Sequence, residues 1–541
     1  MVDSCVAAAD FHRPRLEKSV PGHAASAAQP CATPVWTGRN DGIELALPRP
    51  VTPRAFRLSI PGLAIVLASA GAPPVHAQAP AASSAPGGFE LSVRDTTRLE
   101  SWRFFEPEPG GGQPDSTYLA NRLQVELKRA WSRIDVQLTA QHVGFLGLPT
   151  SASGPGPLGL GALYYDQGGR RTHPQQLWLR YANARFRQVL PGLDVTVGRM
   201  AYASGAEAPS GNARIEALKR QRLDSRILGE FEWSIYQRGF DGVRGDLTRG
   251  VVKATAIAFR PTQGGFARVA GPTIDDVSVV GGTVSVQPNS RLPRTQLQAF
   301  VLRYDDDRRV TQRPDNMGRS AAAVDVGITS YGGSLVGSYP VGPGSADALA
   351  WGVLQRGDWY GQDHEGAAVA LEGGYQWTSA RWAPWVRAGL LHTSGDESAT
   401  DGTHGTYFPV LPTVRRYSQT TTFSTMNVDD AFVQVMARPT PRVGLRLDVH
   451  ALRLASSADL WYIGSGATLE EGGAFGYSGR RSNGSRDLGT SIEASADVTI
   501  TRQWSVNAFV GHVSGGRVVT GTFRGDRLWF AYVEQVLRIG R

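Results

Sequence analysis

The sequence predicts an all-β protein: a single transmembrane antiparallel up-and-down β-barrel of about 18 strands, behind an N-terminal signal peptide. Three observations predict it. Apolar and polar residues alternate with a period of two along most of the chain. Full charges sit on the polar face in the middle of the strand segments. The chain reads as exported, and the exported part has no cysteine. With 64 Gly, 33 Pro and only 19% charged residues among 541, neither a long-helix protein nor a charge-driven disordered one fits. No run reaches the roughly 18 consecutive apolar residues that a spanning helix needs.

The leader comes first. Residues 54–77 read RAFRLSIPGLAIVLASAGAPPVHA. Arg54 and Arg57 form a positive region, residues 63–70 a short apolar core, and Val75-His76-Ala77 a small-residue cleavage site. Residues 51–77 are therefore expected to be a signal peptide, cut after Ala77. Residues 1–50 show no core-building pattern and read as a misassigned gene start or a disordered extension, with Val51 as the true start. Residues 78–88 are rich in Ala, Ser, Pro and Gly and read as a flexible leader. Cys5 and Cys31 fall before the cleavage site, so the exported chain keeps no thiol. Seven Lys/Arg and five Asp/Glu are lost with them, which lowers the net charge from +8 to +6.

The barrel is expected over 89–541. Phe89, Leu91 and Val93 alternate with Glu90, Ser92 and Arg94. Leu123, Val125 and Leu127 alternate with Gln124, Glu126 and Lys128; Ile134, Val136 and Leu138 alternate with Asp135, Gln137 and Thr139. The same rhythm runs through Val443–Val449, Ile492–Val498 and Trp504–Val510. Roughly sixteen to eighteen such segments fit the template, most near the ten residues that a tilted strand needs to cross a bilayer. Loops rich in Gly, Pro, Ser and Asp separate them, as at 107–116, 149–161 and 480–487. A soluble sandwich would also alternate, but charges such as Arg446, Asp448, Glu493 and Asp497 in mid-strand suit a wet lumen. Aromatics near strand ends suit interfacial girdles: Trp102, Trp131, Trp359, Tyr360, Trp377, Trp461, Tyr462, Trp504 and Trp529. The last strand, from Leu528 to Ile539, sets Trp529, Ala531, Val533, Leu537 and Ile539 on one face.

Four blocks stand out in order. They are LPGLDVTVGRMAYASG (190–205), RILGEFEWSIYQRGFDGVR (226–244), GDESATDGTHGTYFPVLPTVRRYS (395–418) with Asn427 and Asp430 after it, and LDVHALRLASSADLWY (447–462). This ordered set resembles the alginate-export family of bacterial outer-membrane proteins, from about Phe89 to the C-terminus. The resemblance implies an 18-stranded monomeric barrel with an electropositive lumen that passes an acidic exopolysaccharide. Ile539-Gly540-Arg541 departs from the aromatic residue that ends many such barrels.

Of the 56 Lys and Arg, 52 are Arg. A GC-rich genome accounts for much of that bias; placement is the more telling property. Strand phase sets Arg122, Arg180, Arg387 and Arg446 opposite the lipid-facing residues. Arg199, Arg238 and Arg244 come from the family-like blocks, where Gly residues and turns blur the phase. Arg415 and Arg416 follow Leu411-Pro412-Thr413 and could line an entrance. Guanidinium forks suit the carboxylates of uronates, and a series of them hands a polyanion along without one deep well. The alternative is that these arginines pair with lumen carboxylates and brace the wall. Asp396 and Asp401 resemble acidic loop positions of the family; calcium would suit them, although solvated loop charges are the simpler reading.

Gly154-Pro155-Gly156-Pro157-Leu158-Gly159 matches G-x-G-x-x-G, but no helix opens after it to cradle phosphate. The histidines after the leader are scattered. His450 faces the lumen side near Asp448, where a filler role is the plain reading. The expected function is export of an anionic exopolysaccharide, an alginate-like polyuronate. A general or small-anion porin is the alternative, and a barrel-embedded enzyme a third. No catalytic residue, cofactor or metal is assigned. The expected partners are the polymer or small anionic solutes, outer-membrane lipid and lipopolysaccharide, the barrel-assembly machinery and periplasmic export proteins. No nucleic acid is expected, and the barrel is expected to be a monomer.

Overall fold

The computed structural model describes residues 88–151, 164–166, 168–265, 270–413, 415, 417–420 and 422–540. The expected extension, the signal peptide, the leader through residue 87, the glycine-rich loop 154–159 and Arg416 lie outside the described residues.

Eighteen antiparallel strands form the wall. The first six are β1 (Phe89–Arg103), β2 (Asp115–Ala130), β3 (Ile134–Leu146), β4 (Gln175–Leu190), β5 (Leu193–Met200) and β6 (Phe240–Arg249). Next come β7 (Val252–Pro261), β8 (Val277–Val286), β9 (Thr295–Asp306), β10 (Val326–Val341), β11 (Gly344–Trp359) and β12 (Ala367–Gln376). The last six are β13 (Trp385–Thr393), β14 (Val428–Thr440), β15 (Val443–Leu454), β16 (Asp487–Thr499), β17 (Trp504–Gly515) and β18 (Arg527–Gly540). Strand β18 pairs back onto β1, from Ser92↔Gly540 to Arg103↔Trp529. Closure matters because lipid offers backbone N–H and C=O groups no partner. A closed sheet leaves no unpaired edge.

The period-two pattern becomes two faces. On β15, Leu445, Leu447 and Val449 are 40%, 44% and 38% exposed, while the alternating Asp448 and His450 are 2% and 0% exposed. The same alternation holds on β16, where Ile492 is exposed and Ser491 and Glu493 are buried. Short turns at 131–133, 191–192, 250–251, 342–343 and 441–442 join strands at one end. Gly192 makes the tightest of them: its φ is +82°, and a Cβ there would lie 2.4 Å from the Thr248 carbonyl oxygen. At the other end the connections are long, notably 201–239, 394–427 and 455–486.

The expected aromatic girdle divides. Trp131, Trp377, Trp504 and Trp529 are exposed on the outer side. Trp102, Trp359, Trp461 and Tyr462 are fully buried instead, packed among the long connections. A residue near a strand end can point to either face, and only its parity against the exposed set decides which.

The core of this protein lies inside the barrel. Ile215, Leu218, Leu223, Ile227 and Leu228 of the 201–239 connection pack on Phe240, Phe259, Leu302 and Trp351 of the wall. Phe231, Ile235 and Tyr236 join Tyr118, Phe145, Phe530 and Trp461 in a second cluster. Each buried aliphatic or aromatic side chain contributes about 1.5–3 kcal/mol. The connections are thereby held in the interior.

Candidate functional site

The 201–239 connection touches widely separated parts of the wall. It begins with helix α1 (Ala213–Leu218), capped by Asn212, whose side-chain oxygen accepts from the N–H groups of Arg214 and Ile215. A π-helical turn, Lys219–Leu223, follows. This turn carries Arg222 toward β12, where its Nε donates to Glu372 over 2.9 Å. Arg226 reaches the other oxygen of Glu372 at 2.7 Å. Further along, the chain meets the opposite wall. Arg98 on β1 donates to the Trp233 carbonyl at 3.0 Å, Arg122 on β2 to the Ser234 carbonyl at 3.2 Å, and Gln141 on β3 to the Tyr236 carbonyl at 2.8 Å. Phe231 and Gln237 bracket this stretch with φ values of +53° and +58°. Bulky residues adopt such angles only where their surroundings compel them. The connection is thus tied to both sides of the interior.

Most interior arginines have carboxylate partners. Arg387 on β13 is fully buried and binds Asp347 at 3.0 Å and Glu372 at 3.2 Å. Glu372 therefore serves Arg387, Arg222 and Arg226 together. Arg180 occupies a β-bulge of β4 and binds Glu230 at 2.6 Å, while the Tyr181 hydroxyl donates to the same carboxylate. Burial pushes the Glu230 carboxyl up to about 6, against the opposing pull of Arg180. Arg244 pairs with Asp246 at 2.8 Å, and Arg446 with Asp448 at 2.5 Å. Arg98 binds Glu534 at 2.6 Å and Glu100 at 3.2 Å.

Arg238 binds differently. Its guanidinium donates to the carbonyls of Ser465 at 2.7 Å and Ala467 at 3.1 Å, and to the Ser465 hydroxyl at 3.1 Å. It fastens the 201–239 and 455–486 connections together, and burial pushes it down to about 10.

Besides Arg238, two of the sequence-predicted arginines have no carboxylate within ion-pair distance among the described residues and still lie inside. Arg122 makes its one hydrogen bond to Ser234, and its Nε is buried without a partner. Arg415 is 8% exposed, and none of its three guanidinium nitrogens makes a hydrogen bond. Its charge lies over the Trp233 ring, 3.3 Å from the centroid. Burial pushes Arg415 down to about 9. Arg98 is a charged neighbour of both, and Arg94 of Arg122. Cation–π contact offsets part of the desolvation cost of Arg415, and a hydrogen-bonding anion would offset more.

Arg199 requires a correction. It shares the face of exposed Val197, and its bidentate partner Asp241, 2.7 Å from both nitrogens, shares the face of exposed Val243. The pair therefore lies on the outer side near the loop end, where lipid-face parity and an acidic neighbour explain it. Arg415 also departs from the expected entrance, because it is buried in the interior. Of the acidic loop positions, Asp401 is exposed and accepts from the Thr403 N–H. Asp396 is buried, accepts from the Ser398 N–H and donates its own N–H to Asp459. Neither belongs to a cluster of three metal-ligating side chains among the described residues.

The sequence reading missed Arg98, Arg222, Arg226, Trp233 and Glu372. Arg98 was accessible, since it shares parity with Arg94 and Glu100 on β1. Arg222 and Arg226 lie in a connection with no strand period to read, and their partner is about 150 residues away in the chain.

A family model described as Alginate export matches residues 170–523. Among solved structures, OccAB1 of Acinetobacter baumannii is similar over 84% of this chain and 96% of its own, with a TM-score of 0.53 and 11% identity. The outer membrane protein OpdK of Pseudomonas aeruginosa is similar over 84% of this chain and 100% of its own, with a TM-score of 0.51 and 10% identity. A structure of OpdK with vanillate gives a TM-score of 0.51 at 9% identity, over 84% of this chain and 100% of that one. At these identities the likeness is one of fold. No curated protein matches the chain.

Proposed function

The chain belongs to the alginate-export family, a channel of the bacterial outer membrane, and from that premise we propose that it passes an acidic exopolysaccharide along an arginine-lined interior. The observation that supports this reading is Arg415, a buried guanidinium with no hydrogen-bonding partner among the described residues, beside Arg122 and Arg98. A fixed positive charge that the protein does not neutralise favours an anion in transit. The paired arginines act otherwise. Arg180, Arg244, Arg387 and Arg446 are met by carboxylates, so they hold the wall and the constriction while moderating the field. Arg238 ties two connections. A path with a few free charges among many paired ones binds a polyanion weakly at several points, which conduction requires.

A second reading, a channel for small anions, is favoured by the constriction itself. The 201–239 connection crosses the interior and is anchored at both walls. One structure similar in fold was solved with vanillate, which is consistent with small-solute passage by such barrels.

Single-channel conductance of the refolded barrel separates the two. Polyanion export expects oligouronates to block the current at concentrations where neutral oligosaccharides do not. Free passage of small anions with no block by oligouronates would leave the second reading. An enzymatic role draws no support from the family.

A further inference from the structure

Outside the basic path, four buried polar atoms without hydrogen-bonding partners lie on neighbouring strands. They are Asp448 Oδ1, His450 Nε2, and Oε1 and Nε2 of Gln434. The register explains their meeting: Gln434 on β14 pairs with Asp448 on β15, and Asp448 pairs with Glu493 on β16. All four residues face inward and are 0–2% exposed. Ligand atoms of Asp448, His450 and Glu493 lie within 4.8 Å of one another. Lone pairs converging in a dry site are costly unless something accepts them.

We propose that Asp448, His450 and Glu493 form a binding site for a divalent transition cation, with Zn²⁺ the best match to one imidazole and two carboxylates. His450 is set up for this. Its Nδ1 lies 2.9 Å from Asp430 Oδ2, so it donates there and leaves the lone pair on Nε2, which is buried without a hydrogen-bonding partner among the described residues. A carboxylate behind a ligating histidine fixes the tautomer and raises its basicity. Asp448 gives its Oδ2 to Arg446 at 2.5 Å and keeps Oδ1 free. Glu493 Oε1 accepts from Ser418, Thr420 and Ser491, whereas Oε2 accepts only from the Gln419 N–H at 2.8 Å. One lone pair of Oε2 remains, and Gln434 Oε1, unpartnered on the neighbouring strand, would add a fourth ligand, the third oxygen. Three carboxylates, Asp430, Asp448 and Glu493, meet here; among the described residues Arg446 is the guanidinium within ion-pair distance of them, with Arg222 a charged neighbour of Asp430 and Arg415 of Glu493. That charge balance suits a cation. Because Glu493 also holds residues 418–420, the ion would brace the connection that carries Arg415.

The test uses the full barrel, refolded in detergent and stripped with a chelator. Zn²⁺ is titrated in competition with a chromophoric chelator, and Co²⁺ is titrated while its visible absorption is followed. One Zn²⁺ per barrel is expected, with Ca²⁺ bound far more weakly. Asp448→Asn with His450→Ala should abolish binding, and Asp430→Asn should weaken it about 10- to 100-fold. No stoichiometric Zn²⁺ in the wild type, or undiminished binding in the folded double variant, overturns the proposal. Should the double variant not fold, the wild-type Co²⁺ spectrum decides: bands of mixed nitrogen and oxygen ligation support the site, and a spectrum of aqueous Co²⁺ overturns it.

Discussion

The Arg415 guanidinium rests 3.3 Å above the centre of the Trp233 ring, and none of its nitrogens donates a hydrogen bond. The two residues come from different connections, 394–427 and 201–239. Their contact joins the 201–239 connection to a second interior connection and leaves a buried cation between them.

Arg415→Ala is expected to reduce anion selectivity without destabilising the barrel, because it removes a buried charge that makes no hydrogen bond among the described residues and is only partly offset by its ring contacts. Arg122→Glu with Arg415→Glu should bring the selectivity close to neutral or reverse it. Reversal potentials across a salt gradient read this directly. An unchanged potential in the double variant would show that neither residue faces the conducted ions.

Glu372 holds three guanidinium groups at once. Glu372→Gln leaves Arg222, Arg226 and Arg387 buried with a deficit of negative charge. We predict a loss of about 3–5 kcal/mol in denaturant unfolding, together with a larger and noisier conductance as the 201–239 connection loosens. Wild-type stability and quiet channels in this variant would mean that the cluster does not anchor the constriction.

The Glu230 carboxyl is raised from 4.5 to about 6 by burial. Its folded value exceeds its unfolded one, so the folded barrel holds an extra proton between those limits. The associated stability is fully present below about pH 4.5 and is lost as pH rises through about 6. Protonation also removes the counter-charge of Arg180. Anion selectivity should therefore increase as pH falls from 7 to 5, and Glu230→Gln should show the acidic selectivity at both pH values. A flat profile in the wild type would exclude Glu230 as the titrating group.

Leu447 and Asp448 are adjacent on β15 and face opposite sides. Leu447→Arg should cost about 2–4 kcal/mol in lipid, the penalty for a lipid-facing arginine near mid-membrane. Refolding yields and unfolding midpoints in lipid vesicles measure it. A cost below about 1 kcal/mol, the range for interfacial positions, would move this face away from the bilayer centre.

The strand faces were legible in the sequence. Leu445, Leu447 and Val449 against Arg446, Asp448 and His450 already implied an outer and an inner face, since side-chain direction reverses at every residue of a strand. Period two also set Arg122, Arg387 and Arg446 on the inner side. It was not applied at Arg199, beside Gly198 and the strand end, although exposed Val197 two residues earlier gives that side chain the outer face. It could not separate buried Trp359 from exposed Trp504 and Trp529, because all three lie near strand ends, and it does not reach Trp461, which lies in the 455–486 connection.

The sequence by itself determined an exported-looking chain of alternating strands and the family to which its four ordered blocks point. The tertiary structure alone decided which charges are neutralised. Arg222 and Arg226 reach Glu372 across about 150 residues, Arg387 finds Asp347 across 40, and Arg415 finds no carboxylate within ion-pair distance among the described residues. Parity is a local property of the backbone and can be read residue by residue. Charge pairing depends on register between strands and on where long connections settle inside the barrel, and both are fixed only when the wall closes and the interior packs.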